Sequence, residues 1–190
     1  MLTSGINFIN FKKKKSSTKI KKKLQEIIKS KDQTIDSLSK DYKNSFKKGK
    51  LDKYKKFSHF RLIGMGGSTL GTQTIYEFLK HKIKKNFLFL DNLQNTLSQS
   101  KKKTVNIIVS KSGNTIETIA NSNIIIKKNN KNIFVTENKK NYLYRLAENL
   151  KGEIVHHNNY IGGRYSVLSE VGMLPAELMG LKSKRRNHSS

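Results

Sequence analysis

The sequence predicts an α/β fold, a mainly parallel sheet of about five strands covered by helices on both faces and preceded by N-terminal helices. Two observations carry this. From residue 59 onward, short apolar runs alternate with stretches of helical period. The runs are continuously apolar rather than alternating, the pattern of strands buried on both faces. A third observation agrees with them. Segments rich in glycine and hydroxyls directly follow the first and third runs and lead into helical patterns. Open parallel sheets bind ligands beyond the carboxyl ends of their strands.

The elements can be justified in order. Residues 1–58 form a basic, low-complexity segment. Within it Ile20, Leu24, Ile27 and Ile28 share one helical face, and Ile35, Leu38, Tyr42 and Phe46 repeat the pattern, with Gly49 as the stop. Two amphipathic helices with wet, Lys-rich faces should therefore precede the main domain. Phe60–Gly64 reads as the first strand, and Ile75, Phe78 and Leu79 give the following helix an apolar face. Phe87–Leu90 is a second apolar run, ending at Asp91, and Val105–Ser110 is a third strand. Ile116, Ile119, Ala120 and Ile124 form the face of a second helix, and Ile133–Thr136 is the fourth strand. Leu143, Leu146, Ala147 and Leu150 fall at helical spacing, and Ile154–His156 reads as a fifth strand. His156 and His157 are adjacent, so on a strand they point to opposite faces and make a poor pair for a metal or a proton relay. Residues 182–190 carry no core pattern. The expected division is a basic helical segment at 1–58, a ligand-binding domain at 59–181 and a polar tail at 182–190.

Composition excludes several functions. The chain has 190 residues and no Cys, which removes disulfides, thiolate metal sites and cysteine nucleophiles. No apolar run approaches the ~18 residues a membrane span needs. A Lys run interrupts the first residues before any apolar stretch, against a secretory signal. The expected setting is cytoplasmic, with no membrane. Lys+Arg total 39 against 13 Asp+Glu, a formal net charge of +26. Such a balance raises the question of nucleic acid. Only five of the basic residues are Arg, and few aromatics interleave with the Lys runs. Stacking platforms are therefore missing where the charge is, and a solvated surface is preferred over a nucleic-acid site.

Chemistry concentrates in three segments. The first, Gly64-Met65-Gly66-Gly67-Ser68-Thr69-Leu70-Gly71, leaves a strand and enters a helix. Its glycines let a ligand approach the main chain, and the helix start favours an anion. A dinucleotide fingerprint fails because Thr69 stands where the third glycine belongs. Asp91 falls later than the roughly 20 residues expected of a ribose-binding acid, so a helix cap is preferred for it. Ser68 could equally be an N-cap, leaving an anion or sugar site and a structural turn both open. The second segment, Ser110-Lys111-Ser112-Gly113-Asn114-Thr115-Ile116-Glu117-Thr118, sets hydroxyls, an ammonium and a glycine around a helix start. Hydroxyls and backbone N–H groups suit the acceptor oxygens of a phosphate. Asn114 and Glu117 fit a capping box, which assigns Glu117 to structure. The third segment, Ile161-Gly162-Gly163-Arg164-Tyr165-Ser166, places an arginine beside two glycines. A cation so held could stabilise charge on sugar oxygens, or pair with a structural carboxylate.

The second segment resembles the phosphate loop of sugar isomerase (SIS) domains. Gly-Gly-Arg-Tyr-Ser resembles a signature of the phosphoglucose isomerase family, and Gly-Met-Gly-Gly-Ser and Ser-Lys-Ser-Gly-Asn-Thr-x-Glu-Thr resemble its two other N-terminal motifs, in the same order. The resemblance covers roughly residues 59–181. It implies a three-layer α-β-α SIS domain and the interconversion of glucose 6-phosphate and fructose 6-phosphate through a cis-enediol, in glycolysis and gluconeogenesis, with no cofactor. By resemblance Arg164 is the transition-state arginine. Ser110, Lys111, Ser112 and Thr115 match the phosphate loop, Lys111 acting mainly through its backbone N–H, and Gly67 and Ser68 lie near the sugar.

Family members are longer, and their proton-transferring glutamate lies in a second SIS domain. The resemblance therefore implies an N-terminal part cut short, binding sugar phosphate but inactive alone. A full-length relative is expected to be a homodimer. Glu170 stands where the family usually has a small residue. The alternatives are a bifunctional phosphoglucose/phosphomannose isomerase and a non-catalytic SIS module that senses a sugar phosphate.

Overall fold

A computed structural model of the chain describes residues 17–30, 32–39, 41–93, 103–127 and 129–181. The polar tail at 182–190 and the first sixteen residues lie outside the described residues. Five strands form one parallel sheet: β1 (His59–Gly64), β2 (Asn86–Leu90), β3 (Thr104–Val109), β4 (Lys131–Thr136) and β5 (Glu153–His156), in the order β2-β1-β3-β4-β5. All five strands fall where the apolar runs place them.

Register explains why the runs are continuous. Phe60 stands beside Phe87 and Val105, and Leu62 beside Ile107, which stands beside Ile133. These side chains share one face with Val109, Val135 and Val155. Ile63, Leu90, Ile108 and Phe134 form the other. Successive residues of a strand point to opposite faces, and here both faces are covered. Phe60 and Phe87 stack with centroids 4.8 Å apart.

The first face is covered by α3 (Lys48–Lys55), α4 (Leu70–Phe78) and α7 (Glu170–Leu178). Leu51 and Tyr54 come from α3, Tyr76 from α4, and Val171, Leu174 and Leu178 from α7. The second face is covered by α5 (Ile116–Ile125) and α6 (Tyr142–Asn149), through Ile125, Leu143 and Ala147. The result is the three-layer α-β-α arrangement. Pro175 lies inside α7 and offers no N–H to the carbonyl of Val171. The hydroxyl of Thr72 in α4 donates to that carbonyl at 3.0 Å, so the break in the helix ladder becomes a bond between two helices.

The N-terminal segment departs from expectation. α1 (Thr18–Lys29) forms, and all of it is exposed, including Ile20, Leu24, Ile27 and Ile28. The second helix ends early. α2 spans only Gln33–Ser37, capped by Asp32, and Tyr42 and Phe46 lie in irregular chain. Gly49 is inside α3 rather than at a helix stop. The helical spacing of these side chains is coincidental, because Tyr42 is drawn to polar partners while Phe46 packs on the core.

Two helix faces are also turned from the reading. Phe78 is 79% exposed while Thr72 and Tyr76 are the buried residues of α4. In α5, Ile116 and Ile124 are exposed, and Thr118, Asn121 and Ser122 are buried beside Ile125. Helix α7, and the 3-10 turn at Gly163–Leu168 that precedes it, have no counterpart in the periodicity of the sequence.

Candidate functional site

The chain leaves β1 for β2 on one side, then returns to place β3 on the other. The boundary between β1 and β3 is thus a topological switch point, where doubly wound sheets open a crevice at their carboxyl ends. The three singled-out segments converge on this end. They follow β1, β3 and β5 respectively.

The first and third segments touch. A Cβ on Gly67 would lie 2.5 Å from the carbonyl carbon of Gly163, so only glycine permits this approach of two backbones. Ser166 fixes the contact. Its hydroxyl donates to the Gly163 carbonyl at 2.8 Å and also lies 3.2 Å from the Gly67 carbonyl. Arg164 is therefore carried directly beside the Gly67–Ser68 turn. It is exposed, and among the described residues no carboxylate forms an ion pair with it. Ser68 closes a 3-10 turn at Gly66–Ser68 and is not the N-cap of α4, a place taken by Thr69.

The second segment folds around its own hydroxyls. Ser110 Oγ and Thr115 Oγ1 are 2.9 Å apart, and the Gly113 N–H donates to Ser110 Oγ at 3.2 Å. The Asn114 N–H donates to Ser112 Oγ at 3.3 Å. Gly113 has φ +67°, and a Cβ there would stand 2.0 Å from Asn141 Oδ1. The capping box is not formed. Thr115 is the N-cap of α5, without a side-chain capping bond, and Asn114 Oδ1 accepts instead from the Tyr142 N–H at 3.2 Å. The positive end of α5 is left facing the hydroxyl loop, an arrangement suited to an anion. Lys111 Nζ reaches across to the carbonyl of Asn159 at 2.9 Å and ties this loop to the one after β5. The Lys111 carbonyl accepts from the N–H of Glu137 and the hydroxyl of Thr136.

His157, just past β5, is 2% exposed, and its Nδ1 has no hydrogen-bond partner. Burial, with Lys111 nearby, holds its pKa down at about 4, so it is neutral at physiological pH. His156 points the other way and is exposed, as strand alternation requires. Among the described residues no three His, Asp or Glu side chains come together as a metal site, and no helix is long and apolar enough to cross a membrane. Asp91 follows β2 and is half-buried. Sequence reasoning missed Asn141, whose carbonyl oxygen accepts from the Tyr144 N–H and whose amide donates to Thr136.

Comparison with known proteins bears on this arrangement. The family model for phosphoglucose isomerase matches residues 8–183. A glucose-6-phosphate isomerase of Methanocaldococcus jannaschii is 37% identical over 145 residues, covering 69% of this chain and 36% of that protein. The chain thus spans about a third of that relative's length. The crystal structure of a hypothetical protein from Thermus thermophilus shares the fold at a TM-score of 0.67 and 23% identity, over 86% of this chain and 44% of that one. The crystal structure of tagatose-6-phosphate ketose/aldose isomerase from Escherichia coli aligns at a TM-score of 0.50 and 18% identity, over 62% of this chain and 36% of that one. With the motifs in order, their loops gathered at one end of a parallel sheet and the match running through nearly the whole chain, this protein belongs to the phosphoglucose isomerase family.

Proposed function

We propose that the chain is the sugar-phosphate-binding portion of a glucose-6-phosphate isomerase, an SIS domain at 59–181 whose core is completed by α3 from the basic segment before it. The observation that carries this is the backbone contact between Gly67 and Gly163, which sets Arg164 beside the loop after β1. Ser110, Ser112 and Thr115, with the start of α5, take the phosphate. Lys111 contributes its backbone N–H, since its ammonium is engaged by Asn159. Gly67 and Ser68 line the sugar. Arg164 stabilises the negative charge that develops on the sugar oxygens as a proton moves between C1 and C2. Residues 59–181 bind sugar phosphate without by themselves turning it over. Its setting is cytoplasmic, and the whole protein acts as a homodimer.

The test is a calorimetric titration of the chain with glucose 6-phosphate, with glucose and inorganic phosphate as controls. Saturable binding that needs both sugar and phosphate is expected. Arg164→Ala should weaken it by at least about tenfold, about 1.4 kcal/mol. A folded chain that does not bind, or binds equally without Arg164, defeats the assignment.

A further inference from the structure

The 158–170 stretch carries Arg164, and its two ends are held by one side chain from far away in sequence. Asn158 Nδ2 donates to the Tyr42 hydroxyl oxygen at 3.0 Å. The Tyr42 hydroxyl in turn donates to the Glu170 carboxyl, whose oxygens lie 3.1 and 3.0 Å away. Asn158 and Glu170 flank Arg164 on either side. We propose that Tyr42 is a positioning residue for the sugar-phosphate site, its hydroxyl closing the Arg164 loop by bridging Asn158 and Glu170. The proposal rests on the assignment of Arg164 to that site and deepens it.

Each end of the bridge has a physical reason to stay. Glu170 is fully buried at the first turn of α7, and among the described residues no Lys or Arg forms an ion pair with it. A buried carboxyl group needs donors. Here they come from the Tyr42 hydroxyl, helped by the positive end of the helix. Burial, and then the neighbouring Glu170, push the Tyr42 phenol well above its ordinary value, so it keeps its proton. The same N-terminal stretch grips the loop once more, Thr34 Oγ1 donating to the Tyr160 carbonyl at 3.2 Å, and holds the strand before it through the Ser45 hydroxyl, which donates to the His156 carbonyl at the end of β5. On its other side the loop is held by Lys111 through Asn159 and by Ser166 through Gly67. The loop therefore spans two anchors, the ligand-facing turns and the N-terminal stretch. Glu170 acquires a role here: it is the acceptor of the bridge.

Tyr42→Phe removes one hydroxyl and keeps the ring. Hydrogen exchange of the free chain is the first readout. Amides in 158–170 should exchange about fivefold or more faster in the variant, the factor one hydrogen bond supplies, while those of β3 stay unchanged. Titration with glucose 6-phosphate is the second. Affinity should fall about fivefold. In an Arg164→Ala background the same substitution should add no further loss, a non-additivity that general destabilisation would not produce. Unchanged exchange in 158–170 overturns the proposal, as does an equal loss in both backgrounds. Should the parent chain fail to bind glucose 6-phosphate, the site assignment falls, and the exchange comparison still decides whether Tyr42 holds the loop.

Discussion

Single residues at this site are placed by contacts that motifs record unevenly. Gly67 and Gly113 are legible because their motifs demand glycine, and the structure supplies the reasons: a backbone approach at one and a positive φ at the other. Arg164 is legible for the same cause. His157 is different. Its sequence context marks it only as half of a pair, and its burial is a tertiary fact. Its pKa of about 4 lies below its ordinary 6.5, so the unfolded chain binds the extra proton between those values. The stability His157 contributes is fully present above pH 6.5 and is lost as pH falls through 4, on the order of 3 kcal/mol in all. Urea unfolding at pH 7.5 and pH 5 measures about 2 kcal/mol of it, because pH 5 still lies above the folded value of about 4. His157→Gln should flatten the difference between those two values, whereas Lys111 and His156, the neighbouring charges, stay in place in that variant.

At the scale of elements, strands are more faithful to sequence than helices. A strand buried on both faces needs only apolar residues in a row, so its limits follow from composition. Even so, Arg61, Asn106 and Asn132 form a cross-strand polar ladder inside the sheet, with bonds of 3.2 and 2.8 Å. A helix must also choose its face. In α5 the buried face is Thr118, Asn121 and Ser122, because Ser122 bonds back to the Thr118 carbonyl and Asn121 donates to the Asn92 carbonyl. Asn121 finds its partner in the chain after β2, which local periodicity cannot see, while Thr118 Oγ1 and Asn121 Oδ1 are buried without one. Helix α3 shows the converse. It lies in a segment read as a Lys-rich preface, yet Leu51 and Tyr54 complete the core against α7. Leu51→Ala should destabilise the chain by about 2–5 kcal/mol, the range for a leucine removed from a packed core. Thermal or urea unfolding checks this; a loss below about 0.5 kcal/mol, the scale of a surface substitution, would mean α3 is not part of the folded unit.

For the whole molecule, the N-terminal stretch divides into a part the fold uses and a part it does not. Helix α1 buries no residue, whereas α3 enters the core and the stretch between them bonds to the loop after β5. Deleting residues 1–31 should leave the unfolding midpoint nearly unchanged. Deleting residues 1–58 should abolish cooperative unfolding, since it exposes the face of α7 that Leu51 and Tyr54 cover. Circular dichroism melts of the two truncations test the division directly. Part of the positive charge is paired at the surface: Lys53 with Glu153, and Lys55 with Asp52 and Glu177, contacts that contribute little to stability.

The parallel sheet, its five strands, the family and the loops that carry chemistry are all legible in the chain of residues. They depend on local chemistry: apolar runs for strands, glycines and hydroxyls for close approach to an anion. The inward faces of α4 and α5, the short reach of the second helix and the grip on the Arg164 loop emerge only in three dimensions. Those depend on partners distant in the chain, as Tyr42 is from Asn158 and Glu170, and no local period encodes a partner more than a hundred residues away.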